Sequence, residues 1–171
     1  MNQPSLVTIA KETGQANASL VYPNLVKMWA ALWPASRPNA VWLAQPQCVQ
    51  QLQQMAFPNQ TGTFSVFGMV TYSAHDEFPL RVFGKPVIET LMSPDLGLPG
   101  DLILCDLKQM YAAEHPGMSV ATSDQVYFTS LQTLFRFVRR YDLNSPWTTK
   151  LTDFNNHYQY SPFIALASRG T

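Results

Sequence analysis

Few residues of this chain are of types that do acid–base, nucleophilic or metal chemistry, and their spacing does not gather them. His75-Asp76-Glu77 is the one place where a histidine lies beside two carboxylates. Consecutive residues of an extended chain point to opposite sides, and this stretch is polar and followed by Phe78-Pro79, so it reads as a solvated loop rather than a catalytic dyad. Glu114-His115-Pro116-Gly117 has the composition of a turn, which makes its histidine a surface bend. His157 stands in a polar aromatic loop, with Asp153 its nearest acid in sequence. Three histidines without H-x-x-x-H spacing or cysteine partners make a poor metal site. Cys48 and Cys105 lie in apolar periodic segments without C-x-x-C spacing and are expected to be buried free thiols. Gly97-Leu98-Pro99-Gly100 lacks the lysine of a phosphate-cradling loop, and no G-x-S-x-G nucleophile elbow is present. This reading assigns no catalytic residue, no metal ligand, no cofactor-binding residue and no cofactor.

What stands out instead is charge on an otherwise aromatic strand. Residues 124–142 contain no Gly or Pro and are rich in aromatic and β-branched side chains, so they read as extended chain. Strand alternation puts Thr133, Phe135, Phe137, Arg139 and Tyr141 on one face and Leu134, Arg136, Val138, Arg140 and Asp142 on the other. A monomer core does not hold three unpaired guanidiniums, because burying each is costly. Arg136, Arg139, Arg140, Tyr141 and Asp142 are therefore the candidate contact surface for another protein. The alternative is a solvated edge strand blunted by its arginines.

The composition agrees with an associating protein. Of 171 residues, 46% are hydrophobic and only 13% charged, about half the ~25% usual in soluble domains. Eleven basic and eleven acidic side chains cancel, which argues against direct nucleic-acid binding as the main role, since that needs a basic excess. No stretch reaches the roughly 18 apolar residues of a membrane span, and no signal peptide is evident.

Taken in order, the lead-in 1–18 reads as a short strand plus extended chain that would not begin a compact domain. Helices are predicted over 23–32, with Leu25, Met28, Trp29 and Leu32 on one stripe, and from Pro46, with Cys48, Val49, Leu52, Met55 and Ala56 sharing a face. Buried strands are predicted at 40–44 and 101–105, a further strand at 86–91 and a last apolar strand at 161–166. Phe64, Val66, Phe67, Val70 and Tyr72 are read as a hairpin around Gly68. Asp106 is placed to cap a short turn at 107–109. After an extended 110–113, His115-Pro116-Gly117 turns the chain into 118–128, which pairs antiparallel with 134–143 across 129–132. Helices in front and strands behind indicate an α+β protein with a long β-ribbon.

Six stretches in this order carry a resemblance: Y-P-N-L-V-K-M-W at 22–29, N-A-V-W-L at 39–43, F-G-K-P-V at 83–87, G-D-L-I-L-C-D-L at 100–107, F-R-F-V-R-R-Y-D at 135–142 and S-P-F-I-A-L at 161–166. Together they are similar to the C-terminal half of the tailed-bacteriophage major capsid protein family, with its Hong Kong 97-type fold. The resemblance implies a lead-in over 1–18, an axial-type α+β domain over 19–115, a peripheral-domain β-ribbon over 116–147 and a return to the axial domain over 148–171. The N-arm, extended loop and spine helix of the family are not matched, so the chain reads as a fragment or a degraded prophage gene product. The ribbon tip 128–133 has no asparagine, and the family's isopeptide crosslink is not carried over. The implied function is a structural subunit of a phage or prophage capsid shell. Its partners would be other copies of itself, with scaffold or portal proteins by resemblance and no membrane. Its place would be the virion, after the bacterial cytoplasm. The rival readings are an encapsulin-like compartment shell and a small hydrolase using His75 or His157.

Overall fold

Apolar residues recurring at helical spacing, broken by proline at both ends, shape the front of the chain. The computed structural model describes residues 4–55, 57–58, 64–65, 70–72, 75, 77–126, 128–155 and 157–170. The elements run β1 (Val7–Ile9), α1 (Tyr22–Ala31), β2 (Val41–Ala44), α2 (Pro46–Gln53), β3 (Phe57–Pro58), β4 (Phe64–Ser65), β5 (Val70–Tyr72), β6 (Leu80–Val82) and β7 (Lys85–Glu89). They continue with β8 (Leu102–Cys105), β9 (Tyr111–Glu114), β10 (Ser119–Ser123), β11 (Leu134–Val138), β12 (Tyr141–Asn144), β13 (Leu151–Thr152), β14 (Gln159–Tyr160) and β15 (Phe163–Leu166). Two units result: Met1–Gln109 with Trp147–Thr171, and Met110–Pro146.

In the first unit, α1 begins where the Asn24 side-chain oxygen accepts the Val21 N–H at 3.2 Å, and Pro23 occupies the first turn, where its missing N–H is no loss. Leu25, Met28 and Leu32 are fully buried, three and four residues apart as the stripe predicted. Gln45 opens α2, its side chain accepting the Gln47 N–H at 2.6 Å, and Cys48, Val49 and Leu52 turn inward. Both helices bury these faces in one core with Trp42, Leu102, Leu104, Ile164 and Leu166. The sheet order is β1-β15-β8-β2-β7-β6-β5. β2 lies centrally, antiparallel to β8 and parallel to β7, with Trp42 opposite both Leu104 and Val87. The Trp42 indole donates to the Val82 carbonyl at 3.1 Å, so its one polar atom is satisfied inside the core.

Three expectations are corrected. The lead-in does more than trail into the domain: β1 pairs parallel with β15, and Val7 joins the core. Gly68, Val66 and Phe67 lie outside the described residues, but their described neighbours do not form the expected hairpin. β4 pairs with β3, and β5 pairs with β6. The long strand at 134–143 is two strands, of which only β11 pairs with β10, while β12 pairs with β9. The reason lies in His115-Pro116-Gly117, which does not reverse the chain. Residues 115–118 face only 139–140, a bulge in which Pro116 has no N–H to give a ladder and Gly117 takes φ +87°. The His115 N–H still reaches the Arg140 carbonyl at 3.0 Å across it.

The end of the chain is fixed by a buried ion pair. Asp101 and Arg169 are both 0% exposed, and both guanidinium nitrogens Nη1 and Nη2 bond the Asp101 carboxylate, Nη1 at 3.2 Å. The Gly97 N–H donates to the same carboxylate at 2.9 Å, and the Arg169 N–H to the Gly97 carbonyl at 2.8 Å. A Cβ at Gly97 would lie 2.4 Å from the Gly170 carbonyl oxygen, so this crossing requires glycine. Arg169→Ala strands a carboxylate in the core and should lower the unfolding free energy by about 3–5 kcal/mol. Replacing both partners (Asp101→Asn with Arg169→Met) should recover part of that loss. Urea denaturation measures both, and a single-variant loss under about 1 kcal/mol contradicts the assignment.

Candidate functional site

His75, Glu77, His115 and His157 are all exposed, while Asp76 lies outside the described residues. The Asp153 carboxylate, the nearest acid to His157 in sequence, accepts the N–H of Phe154 at 2.8 Å within its own turn. Among the described residues, no group of three or more His, Cys, Asp or Glu side chains is placed to hold a metal ion.

Cys48 and Cys105 are buried free thiols, as their surroundings in the sequence indicated. Cys48 has an acidic neighbour that the sequence did not reveal: its Sγ lies 3.5 Å from the Asp101 carboxylate. Burial, with the Asp101 charge beside it, pushes the Cys48 thiol up to about 12. Burial and the nearby Asp106 charge push Cys105 up to about 12 as well. Both are therefore held as neutral thiols, the opposite of what a nucleophile needs. Neither Asp101 nor Arg169 stood out in the sequence. The signal, legible only in retrospect, is an aspartate opening the apolar run of β8, where a charge has to find a partner.

The Met110–Pro146 unit presents the opposite situation. It consists of two antiparallel ladders, Ser119–Ser123 with Leu134–Val138 and Tyr141–Asn144 with Tyr111–Glu114, and no residue in these strands is buried. The alternation predicted from the sequence survives the break between β11 and β12. Arg136, Val138 and Arg140 line one concavity of about 370 Å³ together with His115 of the bulge. Arg139 and Tyr141 line another, with Ala112 and Glu114. Of the five candidate residues, Arg139 is paired within the unit: its Nε donates to Glu114 Oε1 at 2.6 Å. Tyr141 is exposed, and Asp142 accepts only the N–H of Leu143 at 2.9 Å. Among the described residues, neither Arg136 nor Arg140 has an acidic partner. The structure thus separates what the sequence had grouped, leaving two unpaired guanidiniums on one face and a neutralised pair among aromatic residues on the other.

The family model described as Phage capsid family matches residues 1–145. Two solved structures resemble the chain: the capsid of a native GTA particle and the capsid of an empty GTA particle, each computed with C5 symmetry. The first has a TM-score of 0.64 at 17% identity and covers 97% of this chain. The second has 0.60 at 17% and covers 96%. The chain spans 50% of the length of each. No curated protein matches.

The state of the two thiols is directly testable. With both near 12, about one molecule in ten thousand carries the thiolate at pH 8. Neither cysteine should react with a thiol reagent in buffer within hours, and both should react in denaturant within minutes. A folded pKa raised above the ordinary 9.0 contributes stability below pH 9 that is lost as pH climbs toward 12, so the melting temperature should fall over that window. One thiol reacting at once in the folded chain would show an accessible, activated cysteine.

Proposed function

The chain belongs to the phage capsid family, and from that premise we propose that it serves as a structural, non-enzymatic subunit of a phage or prophage capsid shell. It acts by associating with further copies around a packaged genome, in the virion, after synthesis in the bacterial cytoplasm. In this reading the sheet unit is the axial-type domain of a Hong Kong 97-type fold, and the Met110–Pro146 unit is the ribbon of its peripheral domain. Scaffold or portal proteins are further partners that the family resemblance implies.

One observation carries the proposal. The Met110–Pro146 unit exposes Tyr111, Met118, Val120, Phe135, Phe137, Tyr141 and Leu143, and it has no buried side chain in its strands. An isolated two-stranded ribbon is marginal in water, and contiguous exposed apolar surface marks a place where another protein binds. The buried thiols, scattered histidines and low charge fit a chain whose work is contact rather than chemistry. Arg136 and Arg140 are the residues we assign to pairing with carboxylates of a neighbouring subunit, where the planar guanidinium fork suits a carboxylate.

Reversing both charges (Arg136→Glu with Arg140→Glu) tests this. Exposed arginines contribute on the order of 0–1 kcal/mol to folding, so the melting temperature should stay within a few degrees while shell formation in the particle-forming protein is abolished. Electron microscopy reads the second outcome. Shells at normal yield would make the arginines solvated edge residues, and a melting temperature many degrees lower would make them supports of the fold.

A further inference from the structure

We propose that residues 167–170 form a latched strap, which the Asp101–Arg169 pair holds shut and whose release unpins both ends of the loop 10–18 while the central sheet stays folded. The device lies wholly inside the sheet unit and does not depend on the shell reading.

Backbone hydrogen bonds lay the strap across both ends of that loop. The Ala167 N–H donates to the Ile9 carbonyl at 2.9 Å, where β1 ends, and the Gly170 carbonyl accepts the Ala18 N–H at 3.0 Å. Between them the Arg169 N–H donates to the Gly97 carbonyl at 2.8 Å. The crossing is tight. A Cβ on Gly170 would lie 2.9 Å from the Asn17 side chain, and one on Gly97 3.1 Å from the Ala18 Cα. Residues 10–18 are all exposed or half-buried, so the strap rather than a packed interior pins them at these two points.

The strap has one strong attachment and little else. Of its four residues only Arg169 is buried, so apolar burial contributes little and closure rests on the guanidinium staying on the Asp101 carboxylate. Two features oppose closure. Ala18 sits at φ +46°, a left-handed conformation that an L side chain disfavours. The buried Arg169 Nε finds no hydrogen-bond partner among the described residues, which has a cost that water removes once the strap lifts. After release, side-chain bonds to the helices remain, from Lys27 to Glu12 and from Gln51 to the Ala18 carbonyl, so the loop shifts without leaving the unit. The central strands are held by other means: β2 has a neighbour on each side and buries Trp42 in the core. Weakly packed segments open at a lower free energy than strands of this kind.

Native-state hydrogen exchange on the 171-residue chain tests the device. The amides of Ala18, Gly97, Ala167 and Arg169 all bond within the latch. They should exchange through one shared opening with a common, shallow dependence on denaturant. Their exchange should be about a hundredfold or more faster than that of the β2 amides, which open only when the whole unit unfolds. Ala18→Gly removes the backbone strain of the closed strap and should slow all four amides together, by about fivefold. Four amides exchanging at unrelated rates would show independent fraying in place of a latch. Exchange of all four only in step with β2 would make the strap part of the core. Exchange no slower in Ala18→Gly would mean that strain at this residue does not oppose closure. Each of these results overturns the proposal.

Discussion

Three distant stretches of the sheet unit, 45–48, 97–101 and the segment holding Arg169, meet at the Asp101–Arg169 pair. Asp101 takes the guanidinium and the Gly97 N–H on its side chain, while its carbonyl accepts the Gln45 N–H that leads into α2. Arg169 follows directly on β15, and β15 lies between β1 and β8. This sheet needs β15 in its interior, or β1 has nothing to pair with. Burying two full charges costs several kcal/mol each before their attraction is counted, so such a pair holds only in good geometry with further hydrogen bonds. The fixed segment after β15 and the glycine at position 97 follow from placing this pair inside, and its carboxylate adds to the rise that burial gives the Cys48 thiol.

The two units are stabilised by different means. The first has a core of apolar side chains drawn from both helices and from strands β1, β2, β6, β7, β8 and β15, and buried apolar area is the dominant favourable term in folding. The second has ladder hydrogen bonds and cross-strand pairs but, among its described residues, no buried side chain. Where the chain leaves and re-enters the first unit, Trp147 donates to Gln109 at 3.1 Å and packs edge-on against Trp33 at 5.0 Å. These contacts tie the two crossing points together within the sheet unit.

Much of the local structure was legible. Leu25, Met28 and Leu32 announced α1, the apolar runs announced β2 and β8, and Asp106 caps its turn as expected, accepting the Lys108 N–H at 3.0 Å. Trp29, placed on the helical stripe, packs at the edge of the core, stacked on Phe83 at 5.4 Å. The ribbon was only half legible. The pairing of Ser119–Ser123 with Leu134–Val138 followed from alternation, but His115-Pro116-Gly117 has the composition of a turn and sits in a bulge. Proline and glycine mark a break in a ladder without saying whether the chain reverses there or continues.

The sequence by itself determined what depends on neighbours a few residues away: where helices and strands begin, which side chains alternate on the ribbon, and that Cys48 and Cys105 lie in apolar surroundings. Helical and strand periods are written locally, so they can be read without the fold. Only the tertiary structure decided that β1 closes on β15, that β12 leaves β10 for β9, and that Arg139 is neutralised by Glu114 while Arg136 and Arg140 are not. It alone buried Arg169, near a chain end where a charge reads as solvated, because Asp101 lies 68 residues away in sequence. Strand partners and ion pairs are choices among distant segments, made by which combination leaves the fewest polar groups unpaired, and no local period records that choice.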